Sequence, residues 1–240
     1  MRTLLTLGFL LLGGCTPAPP DTDISGLWIN QALIDAAASG QPLNTSGWNL
    51  EWNIDTHTGK AQVSNGFEIG EGQLSQTSSN TWTVDYDGYS TDELRLDNKQ
   101  LIQMSTEYVA QQVFSRPTDT GKTGDRPSNT FRRALNSAYL GGQWRIIEGP
   151  GIGTMVVFTA DGQVSGLADT DGYELCLDGD CASQGAGNDT VYLSQGDRGD
   201  AWIFVRTGKQ MEILRAINLS NPDEIPELTP GARQWLLEKQ

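Results

Sequence analysis

The stretch Trp48-Asn49-Leu50-Glu51-Trp52-Asn53-Ile54-Asp55 sets every large apolar side chain at an even position and a polar one between each pair. A period of two is that of a strand with one face buried and one in water. Trp82, Val84 and Tyr86 alternate in the same way, and Leu94 and Leu96 enter a turn that Leu101 leaves, which reads as a hairpin. Further on, Met155-Val156-Val157-Phe158 and Trp202-Ile203-Phe204-Val205 are apolar at every position and read as strands buried on both faces. Turn residues separate these runs at short, regular intervals, the rhythm of an antiparallel barrel or sandwich. A chain of 240 residues accommodates one large or two small domains.

The choice between one and two is made by internal similarity. Gly26-Leu27-Trp28 recurs as Gly142-Gln143-Trp144, and Gln62-Val63-Ser64 as Gln163-Val164-Ser165. Asn80-Thr81-Trp82-Thr83-Val84 is echoed by Asn188-Asp189-Thr190-Val191-Tyr192, and Lys99-Gln100-Leu101 by Lys209-Gln210-Met211. The four matches keep their order and span nearly equal lengths, which indicates a duplication. The first copy carries an extra segment between its Trp28 strand and the next turn.

Helical patterns are few. Gln31 to Ala38 forms one inside the extra segment, and Ser128 is placed to cap another through Phe131, Leu135 and Tyr139, stopped by Gly141 and Gly142. Thr229-Pro230 opens a last helix bearing Trp235, Leu236 and Leu237. The turn-rich segment from Pro117 to Pro127 is the natural linker. The expected order is a leader (1–14), a tether (15–23), a first β unit (24–117), a linker and helix (118–140), and a second β unit with a C-terminal helix (141–240). The fold class is mainly β, with two tandem antiparallel barrel or sandwich units, each followed by a short helix.

At the N-terminus, Arg2 precedes the apolar run Leu4 to Leu12, then two glycines and Cys15. That is the layout of a secretory signal, too short for a membrane span. Leu12-Gly13-Gly14-Cys15 resembles the lipobox of bacterial lipoproteins, which implies cleavage before Cys15 and its lipidation by diacylglyceryl and acyl chains such as palmitate. Two or three such chains anchor stably where one does so only marginally. Thr16-Pro17-Ala18-Pro19-Pro20-Asp21 looks like the extended tether of that family. By the family's sorting habit, Thr16 rather than an aspartate after the cysteine implies the outer membrane of a Gram-negative cell.

With Cys15 lipidated, Cys176 and Cys181 remain as an even pair in an oxidising compartment. Asp178-Gly179 between them is a two-residue hairpin signal, which sets the cysteines opposite one another at a Cα separation of about 4.5 Å. A disulfide bracing a hairpin tip is expected. A redox-active pair fits poorly, because the spacing is not Cys-x-x-Cys and the acidic flanks raise a thiol pKa.

The Gly-x-Trp on the first strand of each β unit, with a helix after the sheet, resembles the lipocalin-like superfamily. That resemblance implies small antiparallel barrels able to hold or dock a ligand. Phe158-Thr159-Ala160-Asp161-Gly162-Gln163-Val164-Ser165-Gly166 is also similar to envelope β domains of the META type, although the Cys-Asn pair of those domains is missing.

Chemistry is scarce. A net charge of -14 disfavours nucleic acid. His57 is the single histidine and falls at a turn equivalent to Ala160 or Asp161, so neither a histidine metal site nor a histidine-activated nucleophile is expected. Asp161, Asp169, Asp171, Asp178 and Asp180 supply oxygen ligands of the kind calcium takes, but Gly172 comes too early for an EF-hand loop, and solvated acidic turns account for them. No phosphate-binding or dinucleotide loop occurs. No cofactor, metal or catalytic residue is assigned.

The remaining feature is aromatic. Trp28, Trp48, Trp52 and Trp82 all lie on strands of the first copy, where they either line a pocket for a small apolar ligand or fill the core. The expected protein is a lipid-anchored envelope binding protein, taking a small apolar ligand or an envelope protein partner and performing no catalysis. A docking module implies exposed apolar surface between the units. The alternatives are a hydrolase working with carboxylates alone, which requires two acids in one cleft, one with a raised pKa, and a periplasmic protease inhibitor.

Overall fold

The computed structural model describes residues 23–43, 45, 47–107, 109–119, 126–177, 179–221 and 223–240. The leader, Cys15, nearly all of the tether, the middle of the 118–140 segment and Asp178 lie outside the described residues.

The first unit is a meander of β1 (Gly26–Ile29), β2 (Glu51–Asp55), β3 (Lys60–Ser64), β4 (Ile69–Ser78), β5 (Thr81–Asp85), β6 (Thr91–Asp97), β7 (Gln100–Gln103) and β8 (Gln112–Phe114). Each strand pairs antiparallel with the next. Ile29 and Ser115 exchange two backbone hydrogen bonds of 2.9 Å, bringing the last strand back to the first. Eight strands enclose just enough room for side chains. Trp28, Trp52, Ile54, Trp82, Val84, Leu94, Leu101 and Phe114 fill this one, together with Ile24 below the first strand.

The second unit repeats the plan with β9 (Gly142–Glu148), β10 (Met155–Phe158), β11 (Val164–Ser165), β12 (Gly172–Leu175), β13 (Thr190–Gln195), β14 (Arg198–Thr207), β15 (Gln210–Asn218) and β16 (Leu228–Lys239). β16 returns to pair with β9, and a bridge between Gln163 and Gly172 joins β11 to β12. The four sequence echoes fall on strands one, three, five and seven of both units, in the same order.

The likeness extends to side chains. Gly26 and Gly142 both open the first strand at positive φ, 102° and 106°, a conformation that favours glycine. Each admits a tryptophan two residues on whose indole N–H donates four residues back, Trp28 to Ile24 O (2.8 Å) and Trp144 to Leu140 O (2.7 Å). A cation from the end of the eighth strand covers each ring: the Arg116 guanidinium at 3.9 Å from the Trp28 centroid, and Lys239 Nζ at 5.4 Å from that of Trp144. Arg116 also donates to the carbonyls of Asp23 and Ser25, fastening the entering chain across that end of the barrel.

Two helices join the units. α1 (Gln31–Ala38) is the extra segment of the first copy, and α2 (Asn129–Tyr139) leads into the second. They pack on each other, and Ile34 and Ala37 of α1 and Phe131, Leu135 and Tyr139 of α2 belong to one continuous core with the interior of the second barrel. α2 is thus part of the second unit's core rather than a spacer. The apolar surface expected between the units is covered by this packing.

Three expectations are corrected. Residues 228–239 form β16, not a helix, so the second unit ends in a strand. Trp235 and Leu237 join the barrel core, while Leu236 is buried too, which removes the alternation that would have marked a strand. β10 and β14 are not buried on both faces: β10 alternates, and Val205 is 48% exposed. The disulfide between Cys176 and Cys181 forms, with Cα atoms 5.7 Å apart, but it ties the end of β12 to a short helix, α3 (Gly179–Gln184), instead of bracing a hairpin tip.

Candidate functional site

Three charged groups that burial perturbs, Glu51, Asp189 and Arg206, hold the seam between the barrels. Glu51 reaches from β2 of the first barrel to the N-terminus of α2, where its carboxylate accepts from the backbone N–H of Ser128 (3.1 Å) and Phe131 (2.8 Å). Burial pushes its carboxyl above the usual range, and these hydrogen bonds and Arg133 act against that rise. Ser128 occupies the cap position at φ 71° without capping; its hydroxyl meets that of Ser64 instead. At the other end, Arg206 of β14 donates to Ala37 O and Ala38 O at the C-terminus of α1, and to Ala138 O and Tyr139 O at that of α2. One guanidinium therefore complements two helix dipoles.

Asp189 accepts from the Tyr139 hydroxyl (2.5 Å) and from Leu43 N–H (2.8 Å), linking the loop after α1 to the second barrel. Burial raises its carboxyl as well. It lines a cavity of about 470 Å³ with Leu43, Thr45, Cys176 and Asn188. Glu51 is not among that cavity's lining residues, so the two raised carboxyls do not share it. Reduction of the adjacent disulfide is expected to cost about 2 kcal/mol, the chain-entropy value for so short a loop. The loss should appear as a lower denaturant midpoint with an unchanged slope; a shift under about 0.5 kcal/mol would contradict this.

Three of the four tryptophans share one interior. Trp28, Trp52 and Trp82 are 0–3% exposed in the first barrel's core, whereas Trp48 is half-buried and packs against the seam. Above those rings the barrel interior turns polar at its α1 end. Asn30, Gln103 and Gln112 point inward there and are buried. Asn49 N–H donates to Gln112 Oε1 (2.9 Å) and Asn49 Nδ2 to Gln103 Oε1 (2.9 Å). Gln103 Nε2 donates to Asp92 Oδ1 (3.0 Å), and Tyr86 Oη to Asp92 Oδ2 (2.8 Å). Burial and the adjacent carboxylate drive the Tyr86 phenol far up, so it stays protonated and is the donor. This layer opens into a cavity of about 260 Å³ bounded by Asn49, Asn65, Glu68, Tyr86, Ser90 and Asp92.

A second concavity lies at the far end of the second barrel. β14 and β15 part after the Trp202–Arg215 pair, and β16 meets β9 only from Leu236 onward. The β15–β16 hairpin, irregular between Ile213 and Ala216, therefore projects beyond the barrel wall, paired only with itself. The cleft between it and β14 measures about 410 Å³ and is lined by Trp202, Arg215, Ile217, Asn218 and Leu228. Trp202 packs on Trp235 at 5.2 Å, with the Arg215 guanidinium 5.3 Å above its ring. Ile217, Leu219 and Ile225 on and beside the hairpin are 47%, 67% and 68% exposed.

His57 is exposed in the β2–β3 turn. Among the described residues no group of three or more His, Cys, Asp or Glu is arranged to hold a metal ion, and no helix is long and apolar enough to cross a membrane. The chain matches no family model and no curated protein.

The sequence reading missed both the polar cup and the projecting hairpin. The cup had a signal. Asp92 precedes Leu94 by two residues, Gln103 follows Leu101 by two, and Gln112 precedes Phe114 by two, so all three continue an inward-facing series. The hairpin had none, because its projection depends on where the neighbouring strands stop.

Proposed function

We propose that the protein is a non-catalytic envelope lipoprotein, anchored through Cys15 in the outer membrane, that docks a protein partner on the far end of its second barrel. The observation that carries this reading is the β15–β16 hairpin, whose β15 edge has no β14 partner over Ala216–Asn218 and which carries three exposed apolar side chains on and beside it. Unpaired edges and exposed apolar groups are what a partner covers. The dense packing of Trp28, Trp52 and Trp82 favours a partner over an apolar ligand inside the first barrel. The chain enters at the Arg116 end of the first barrel, opposite the hairpin, so an anchor there leaves the hairpin facing away from the membrane.

A photocrosslinking side chain at Ile225 should give one discrete protein adduct in intact cells. The adduct should disappear with Ile217→Asp, and one at Tyr89 should give none of that mass. Equal adducts from both positions, or none from Ile225, would overturn the docking site. Cys15→Ser should release the protein from the membrane fraction; retention would overturn the anchor.

A further inference from the structure

The structure assigns the mouth of the first barrel as a binding site for the ammonium group of a small organic cation with an apolar or aromatic skeleton. Asp92 is the centre of the argument. Each of its carboxylate oxygens accepts one hydrogen bond, from the Tyr86 hydroxyl and the Gln103 amide, and both donors are neutral. Among the described residues no lysine, arginine or histidine lies within ion-pairing distance of it, so its charge is oriented but not neutralised. Gln103 is itself fixed by Asn49 and by the Trp52 indole N–H, so the carboxylate sits in a constrained network, the pre-organisation that favours binding.

The walls select by charge. Glu68 adds a second carboxylate, Asn49, Asn65 and Ser90 are neutral, and no cationic side chain lines the cavity, which therefore repels an anion. On β4 two of the inward positions beside the cavity, Gly70 and Gly72, are glycine. A Cβ on Gly70 would stand 3.3 Å from both Tyr86 Cε1 and Val63 Cγ1. The apolar part of the wall is Val63 and the Tyr86 ring, which line the cavity together with Asp92. An ammonium on Asp92 leaves the rest of such a molecule against these two side chains, where burial contributes and the Tyr86 ring adds cation–π attraction.

Calorimetric titration of the whole soluble chain with phenethylamine, 2-phenylethanol and 3-phenylpropanoate tests this. The amine should bind saturably and about tenfold or more tightly than the alcohol, with the carboxylate weakest, and added salt should weaken only the amine. Asp92→Asn, nearly isosteric, should lose about tenfold in amine affinity, while Glu212→Gln on the second barrel should change nothing. Equal binding of amine and alcohol, no saturable amine binding, or undiminished binding by a folded Asp92→Asn would overturn the assignment. If Asp92→Asn does not fold, the amine-to-alcohol ratio and its salt dependence in the unaltered chain decide the matter by the same criteria. The partner reading concerns the other barrel and stands or falls separately.

Discussion

Arg206→Ala is expected to lower the unfolding free energy by about 3–4 kcal/mol. Its guanidinium serves the last carbonyls of both α1 and α2, four acceptors at the helix ends, of which Ala37 O also accepts from the Gly40 N–H (2.9 Å). Hydrogen bonds from a charged donor contribute about 1.5–3 kcal/mol each when buried, and partial solvent access at Arg206 reduces the sum. For a chain of this size the loss corresponds to a fall of about 6–16 °C in the melting temperature. Arg206→Lys should recover less than half, because an ammonium cannot fork across two helix ends. Thermal and urea melts of the three proteins check this, and a loss under about 1 kcal/mol for alanine would show that the carbonyls are satisfied by water.

Glu51→Ala is the second large effect, expected at about 2–3 kcal/mol. It removes the acceptor for N–H groups in the first turn of α2 and leaves them buried at the seam. Because Glu51 belongs to the first barrel and α2 to the core of the second, the variant should also loosen the coupling of the two units. Its urea transition should broaden or divide where the parent chain shows one.

Glu51→Gln separates charge from shape. Burial raises the native carboxyl above its unfolded value, so the folded chain takes up a proton at higher pH than the unfolded chain does. Protonation of Glu51 therefore favours folding. Its contribution is fully present below the unfolded pKa and is lost as pH rises through the native one. Relative to Glu51→Gln, the parent chain should gain stability as pH falls from neutral toward the ordinary carboxylate range. A constant or shrinking difference would mean that the backbone hydrogen bonds outweigh the burial.

Much of the barrel architecture was legible because it is local. Alternation at Trp48–Asp55 and Trp82–Tyr86 gave β2 and β5, although the pattern overruns both, since Trp48 lies before β2 on no strand and Tyr86 follows β5, and the repeated Gly-x-Trp marked the start of each unit. α1 was legible at Gln31–Ala38 for the same reason. What failed was non-local. Ser128 reads as a helix cap, but Glu51, far away in sequence, accepts from the helix N-terminus. Trp235-Leu236-Leu237 reads as helical because Leu236, between two core residues and at an irregularity in the β16–β9 register, is buried as well and leaves no alternation to see. Pro230 is tolerated there because that part of β16 pairs only with β15, leaving one edge where a missing N–H has no consequence. The cup was hidden by a different habit: inward positions were sought among apolar residues, whereas at this end of the barrel they are occupied by Asn30, Asp92, Gln103 and Gln112.

The two barrels meet head to tail, the α1 end of the first against the Trp144 end of the second. Contacts of that kind are heterologous, and heterologous contacts propagate: a unit that offers one face and accepts another can in principle be added without limit. What distinguishes the two copies here is a single insertion. The first copy spends the long connection between β1 and β2 on α1, which builds the socket for its neighbour. The second copy closes the corresponding connection with a tight turn through Gly149, Gly151 and Gly153. A chain made of two first copies would carry a socket at its free end and should form open-ended fibres. The second copy has no such socket, so its far end is released from the need to match another barrel.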